Sequence, residues 1–171
     1  MNISPDISDY TLLAHHGGRN TKENKELTEE QVEAYAQDFE RFKRSLEDLK
    51  FEEETVDLIF SIVAGLLHLG QVQFNAVFIH GEEGCEAADM SDLELAATML
   101  GFSTNELLNV LTNRTVISRN ETFSKMLTKS QANKARDAIA KIIYKTIFSW
   151  ITKEVNSQIK LVKKTSAAQN S

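Results

Sequence analysis

Few residues of this sequence stand in a pattern that carries chemistry. His15 and His16 are adjacent, with no Cys and no carboxylate at helical spacing, so the pair reads as solvated loop rather than as a ligand set. His68 lies inside an apolar helical run and reads as a core or boundary histidine with a hydrogen-bond partner. A phosphate cradle needs glycines that let backbone N–H groups approach the anion, and a Lys to neutralise it, in the order GxxxxGK followed by Ser or Thr. No such run occurs in the 171 residues, and Gly81 and Gly84 lie among acidic side chains, the wrong charge for phosphate. CxxC, HExxH and GxSxG are also missing, so metal and acyl-transfer catalysis have no visible seat. Cys85 is the single cysteine, which excludes an intrachain disulfide. The start MNISPDISDY has neither the basic cap nor the apolar core of a signal peptide, and with that cysteine usage it implies a reducing, cytosolic setting.

The elements that would position any site are mostly helices. One Pro and seven Gly leave few obligatory turns, and Leu, Ile, Ala, Glu and Lys recur at helical spacing. Residues 1–27 are polar, hold Pro5 and Gly17-Gly18, and read as a loosely structured leading segment with one short turn at Tyr10–Ala14. Thr28-Glu-Glu-Gln31 is a capping box, and Val32, Tyr35, Phe39, Phe42 and Leu46 then mark an amphipathic helix over 29–49. The run from Glu52 to Leu69 is apolar nearly all round and predicts a buried helix ended by Gly70. Alternation at Val72, Phe74, Ala76 and Phe78 predicts a short strand or extended arm near 72–78, turned by Gly81–Gly84. Ser91-x-x-Glu94 and Ser103-x-x-Glu106 each open a short helix, the first stopped by Gly101.

Helical period is lost from Asn113 to Leu127, which reads as a β-ribbon at about 113–127 with its tip near Asn120. Thr128-x-x-Gln131 then caps a long helix over about 129–163, with Ile139, Ile143, Ile147, Ile151, Val155 and Ile159 spaced by four. At 1.5 Å per residue it would be roughly 50 Å long, more than a chain of this size easily covers, so part of its stripe needs a partner. Residues 165–171 form a polar tail. The fold class expected is mainly α.

Charge narrows the partners. The net charge of −6 speaks against general affinity for nucleic acid or anionic membrane, and no apolar run is long enough to cross a bilayer. The average hides a split: residues 23–57 carry thirteen acidic and five basic side chains, and residues 128–164 carry nine basic and two acidic.

Read as text, Ile59-Phe-Ser-Ile-Val-Ala-Gly-Leu-Leu-His-Leu-Gly-Gln-Val-Gln-Phe74 resembles the myosin motor-domain signature IF-x-IVAAILHLGN-x-x-F. Further pieces follow in that family's order. Leu95-Ala-Ala-Thr-Met-Leu-Gly101 resembles its xxAAxLLG helix, and Leu111-Thr-Asn-Arg114 resembles the start of its actin-contacting loop. Gln131-Ala-x-x-x-Arg-Asp-Ala-Ile-Ala-Lys-x-Ile-Tyr-x-x-x-Phe-x-Trp150 resembles its QA-x-x-x-RDALAK helix, and Val155-Asn-Ser resembles the IN that closes that helix.

The resemblance implies an internal portion of a motor head: residues 28–164 as most of the upper subdomain, with its actin-contacting loop and the long helix after it. The parent would be an actin-activated Mg-ATPase, cytoplasmic and associated with the cytoskeleton, whose partners are the actin filament and the remaining subdomains of the head. The P-loop, switch I and switch II of the family have no counterpart in these residues, so the chain alone is expected to hold no Mg-ATP and to be inactive. In the family, the position sixteen residues before the DALAK-like motif is either acidic or a phosphorylatable Ser or Thr. Counting back from Asp137 reaches Glu121, which implies a loop that works without phosphorylation. Arg114 matches the arginine at the base of the loop, and Arg119 and Lys125 add charge able to meet acidic actin. A different reading is a stand-alone helical interaction module that docks a partner helix on the 139–162 stripe.

Overall fold

The computed structural model describes residues 28–79, 81–118 and 121–169. The leading segment 1–27, Arg119 and the ribbon tip at Asn120 lie outside the described residues. In chain order the elements are α1 (Glu29–Asp48), α2 (Glu53–Gln71), β1 (Phe74–Ile79), β2 (Glu82–Ala87), α3 (Ser91–Leu100), α4 (Thr104–Thr112), β3 (Asn113–Ser118), β4 (Glu121–Met126) and α5 (Lys129–Gln169). The fold is mainly α, with two antiparallel two-stranded sheets, β1–β2 and β3–β4.

Local chemistry explains most of the helix boundaries. Thr28 and Ser103 each accept a hydrogen bond from the backbone N–H three residues on, and the side-chain oxygens of Gln31 and Glu106 accept one from the cap backbone N–H. Thr128 and Gln131 do the same for α5, at 3.3 and 3.1 Å. α1 ends in a Schellman arrangement: Phe51 N–H reaches Leu46 O at 3.1 Å and Lys50 N–H reaches Glu47 O at 2.8 Å. Lys50 takes the left-handed conformation there, at φ 64°. Gly101 fills the corresponding place after α3, at φ 76°, as its position in the sequence predicts.

Three boundaries differ from expectation. Ser91 does not cap α3 but sits in its first turn, where its backbone N–H and hydroxyl both bond to Asp89. α2 continues through Gly70 to Gln71, because one glycine weakens a helix without stopping it when the chain beyond stays helical. α5 runs to Gln169, past the expected end near 163.

Two compact units divide the described residues, one built on Ser61–Tyr144 and the other on residues 28–60 with 145–169. In the first, Leu66, Leu69, Val72 and Phe74 pack with Cys85, Leu93, Ala96, Ala97, Leu107, Leu111, Leu127, Ala132 and Ala140. In the second, Leu46, Phe51, Val56 and Ile59 form the buried core, with Ile147, Ile151 and Val155 against it. The stripe spaced by four along α5 thus serves two cores in succession. α2 is less enclosed than its composition predicts: Leu58 is 58% exposed and Val63 39%, because neighbouring elements cover only part of its circumference.

Candidate functional site

The ribbon lies in the first unit and is held at its base. β3 leaves α4 directly, and β4 returns to the capped start of α5. Leu127 N–H donates to Thr112 O at 2.7 Å and so ties the two ends of the ribbon together. Thr112 is buried, its hydroxyl donating to Leu108 O at 2.8 Å. From this base the strands pair in register from Asn113 opposite Met126 to Ser118 opposite Glu121.

Residues directly opposite share a face, so Arg114 and Lys125, then Val116 and Phe123, and finally Glu121 line one side of the ribbon in order from base to far end. Arg114 and Glu121 are both exposed. Two cations opposite each other repel, and the neighbouring hairpin offsets this: Lys125 Nζ lies 3.3 Å from Glu82 Oε2. Glu82, Glu83, Arg114, Lys125, Met126, Thr128 and Gln131 line a hollow of about 460 Å³ between the hairpins and the start of α5. Of the four residues singled out from sequence, Arg114, Glu121 and Lys125 are therefore on one ribbon face, and Arg119 lies outside the described residues.

The same unit carries two polar clips. His68, buried in α2, donates through Nδ1 to Asp92 Oδ1 at 2.8 Å and joins α2 to the first turn of α3. Its burial and this bond match the core histidine expected from its surroundings. Arg136 is the residue that sequence reasoning missed. Only 8% exposed, it donates through a terminal nitrogen to Val72 O at 2.7 Å and through Nε and the other terminal nitrogen to Asp137 Oδ1 at 2.9 and 2.8 Å. Its signal in the sequence is the spacing of four that it shares with buried Ala132 and Ala140, which puts a guanidinium in a buried row.

Burial raises the Cys85 thiol above its ordinary value, which leaves it a protonated core residue rather than a nucleophile. The Ser91 hydroxyl and backbone N–H lower the Asp89 carboxyl, and those of Ser103 lower Glu106. These shifts belong to helix starts. Among the described residues no group of His, Cys, Asp and Glu converges on a metal position. Gly84 is buried under Met126, with Glu82, Glu83 and Glu86 exposed beside it, so this stretch offers neither a free backbone cradle nor the charge for phosphate.

The family model for the myosin head (motor domain) matches residues 4–169. The chain belongs to this family. Mouse Myosin-IIIb is 31% identical over 139 residues, covering 81% of this chain and 11% of that protein. Unconventional myosin IC of Drosophila melanogaster is 36% identical over 136 residues, covering 79% of the chain and 13% of the relative. Human Unconventional myosin-XV is 34% identical over 124 residues, or 72% of the chain and 4% of the relative. This myosin-family chain thus spans about a tenth or less of the length of these relatives. No described helix is long and apolar enough to cross a membrane.

Proposed function

We propose that this chain is part of the head of an actin-based, ATP-driven cytoskeletal motor, and that its role there is to present the β3–β4 ribbon to the actin filament. The observation that carries this reading is the ribbon face on which Arg114 and Glu121 stand exposed, above a base tied by Leu127 to Thr112. Family membership supports the motor assignment. Glu121 supplies a permanent negative charge at the regulated position, so that contact needs no kinase. Arg114 and Arg119 contribute positive charge toward the filament, and Lys125 stands at the base of the same ribbon, paired with Glu82. The residues here do not fit Mg-ATP, and no phosphoryl-transfer step runs through them; nucleotide belongs to the rest of the head, which together with actin forms the set of partners.

Two measurements on the 171-residue chain test this reading. Sedimentation with actin filaments should carry the chain into the pellet in a salt-sensitive manner, and calorimetric titration with Mg-ATP should give no binding heat. Micromolar affinity for Mg-ATP would contradict the division of labour, and absence from the pellet at low salt would contradict the filament contact.

A further inference from the structure

The β1–β2 hairpin has two faces with different neighbours. Its register pairs Phe74 with Ala87 and Ala76 with Cys85, and on that face Phe74 and Cys85 are each 1% exposed in the core. On the opposite face Val77 pairs with Gly84 and Ile79 with Glu82. Gly84 is buried from this second side, and its cover is Met126 of the ribbon. A methyl group at Gly84 would come within 2.9 Å of Met126 Cε, 3.0 Å of its Sδ and 3.3 Å of its Cβ. Two residues earlier on the same face, Glu82 reaches Lys125 Nζ at 3.3 Å. Consecutive residues at the base of β4 are thus gripped by one strand, and that strand is fixed to the core from behind.

We propose that the β1–β2 hairpin is a brace that sets the direction of the ribbon, with Glu82 and Gly84 as positioning residues; this rests on the ribbon being the filament contact. Glu121 lies four residues beyond Lys125, roughly 13 Å at about 3.3 Å per residue, so a small tilt at the base is magnified where the acidic side chain meets its partner. Lys125 is committed within the chain, and its effect on filament binding passes through ribbon direction rather than direct contact. The ion pair is largely exposed, at 50% for the Lys125 side chain and 71% for that of Glu82, so its effect is modest, and the close approach at Gly84 supplies the steric part of the grip.

Charge reversal separates positioning from contact. In the full chain, Glu82→Lys and Lys125→Glu should each speed amide hydrogen exchange in β4 by about two- to fivefold and weaken sedimentation with actin filaments. The double variant, with the charges exchanged, should restore both. A Lys125 that touched actin directly would not be rescued by a change at Glu82, so a double variant that binds as poorly as Lys125→Glu overturns the proposal. Unchanged exchange in both single variants overturns it as well, as does an increase shared equally by the core amides of α2 and α3, the mark of general destabilisation. Gly84→Ala should speed β4 exchange when Met126 is present and add nothing on a Met126→Ala background; equal effects on both backgrounds would remove the steric half of the brace. If the exchange pattern holds while no variant, nor the parent chain, sediments with filaments, the filament reading falls and the brace stands.

Discussion

Arg136 and Lys50 show how much a single side chain decides here. The Arg136 guanidinium is desolvated and held between the Val72 carbonyl and Asp137. Replacing it by Leu leaves that carbonyl and the carboxylate without their donor, and since a hydrogen bond to a charged group is worth about 1.5–3 kcal/mol, Arg136→Leu should lower unfolding stability by about 2–3 kcal/mol. Urea unfolding checks this, and a loss under about 0.5 kcal/mol would mean that water replaces the clip. Lys50 points the other way. A β-carbon in the left-handed conformation costs about 1 kcal/mol or more, and glycine removes that cost while adding freedom to the unfolded chain. Lys50→Gly should therefore stabilise the chain by about 0.5 kcal/mol, read as a higher urea midpoint at an unchanged slope.

Elements whose ends are set by nearby side chains are legible in the amino-acid sequence. The capping boxes at Thr28, Ser103 and Thr128 form as their spacing predicts, because an extended cap residue brings its side-chain oxygen to the backbone N–H three residues on. The ribbon is legible for a similar reason, its β-branched residues and loss of helical period marking 113–127. β2 is not. Glu82-Glu-Gly-Cys-Glu-Ala87 has no β-branched residue, and it is extended because β1 pairs with it while the core and Met126 cover its two sides. Ser91 misleads for a local reason, since Asp89 two residues earlier engages the same N–H. The candidate site is legible only in part: the resemblance points to Glu121 and Arg114, but the pairing of Lys125 with Glu82 joins hairpins far apart in sequence. Helix starts also set a pH response. Asp89 and Glu106 titrate below their ordinary range in the folded chain, so their contribution is complete above the unfolded value, near pH 4, and is lost as pH falls through the folded value. Stability measured from pH 6 to pH 3 should fall on the acid side, and Glu106→Gln should flatten that fall; an identical acid limb in the variant would deny the cap its role.

At the scale of the whole molecule, the chain holds two cores, and α5 contributes Ile139 and Ile143 to one and Ile147, Ile151 and Val155 to the other. The chain spans about a tenth of the length of these two relatives, mouse Myosin-IIIb and Unconventional myosin IC of Drosophila melanogaster. The ribbon stands on the first unit, with Glu121 at the far end of the face that Arg114 and Lys125 share, and this is the face proposed to meet actin. The most direct test is actin-activated Mg-ATP turnover by a myosin head carrying this sequence, compared with its Glu121→Lys variant across a range of salt. The variant should show weaker activation by actin at low ionic strength, and the difference should shrink as salt shortens the Debye length to about 8 Å and below, because an exposed charge acts mainly through encounter and orientation. Equal activation in the two heads, with the same salt dependence, would contradict the assignment of this ribbon to the filament.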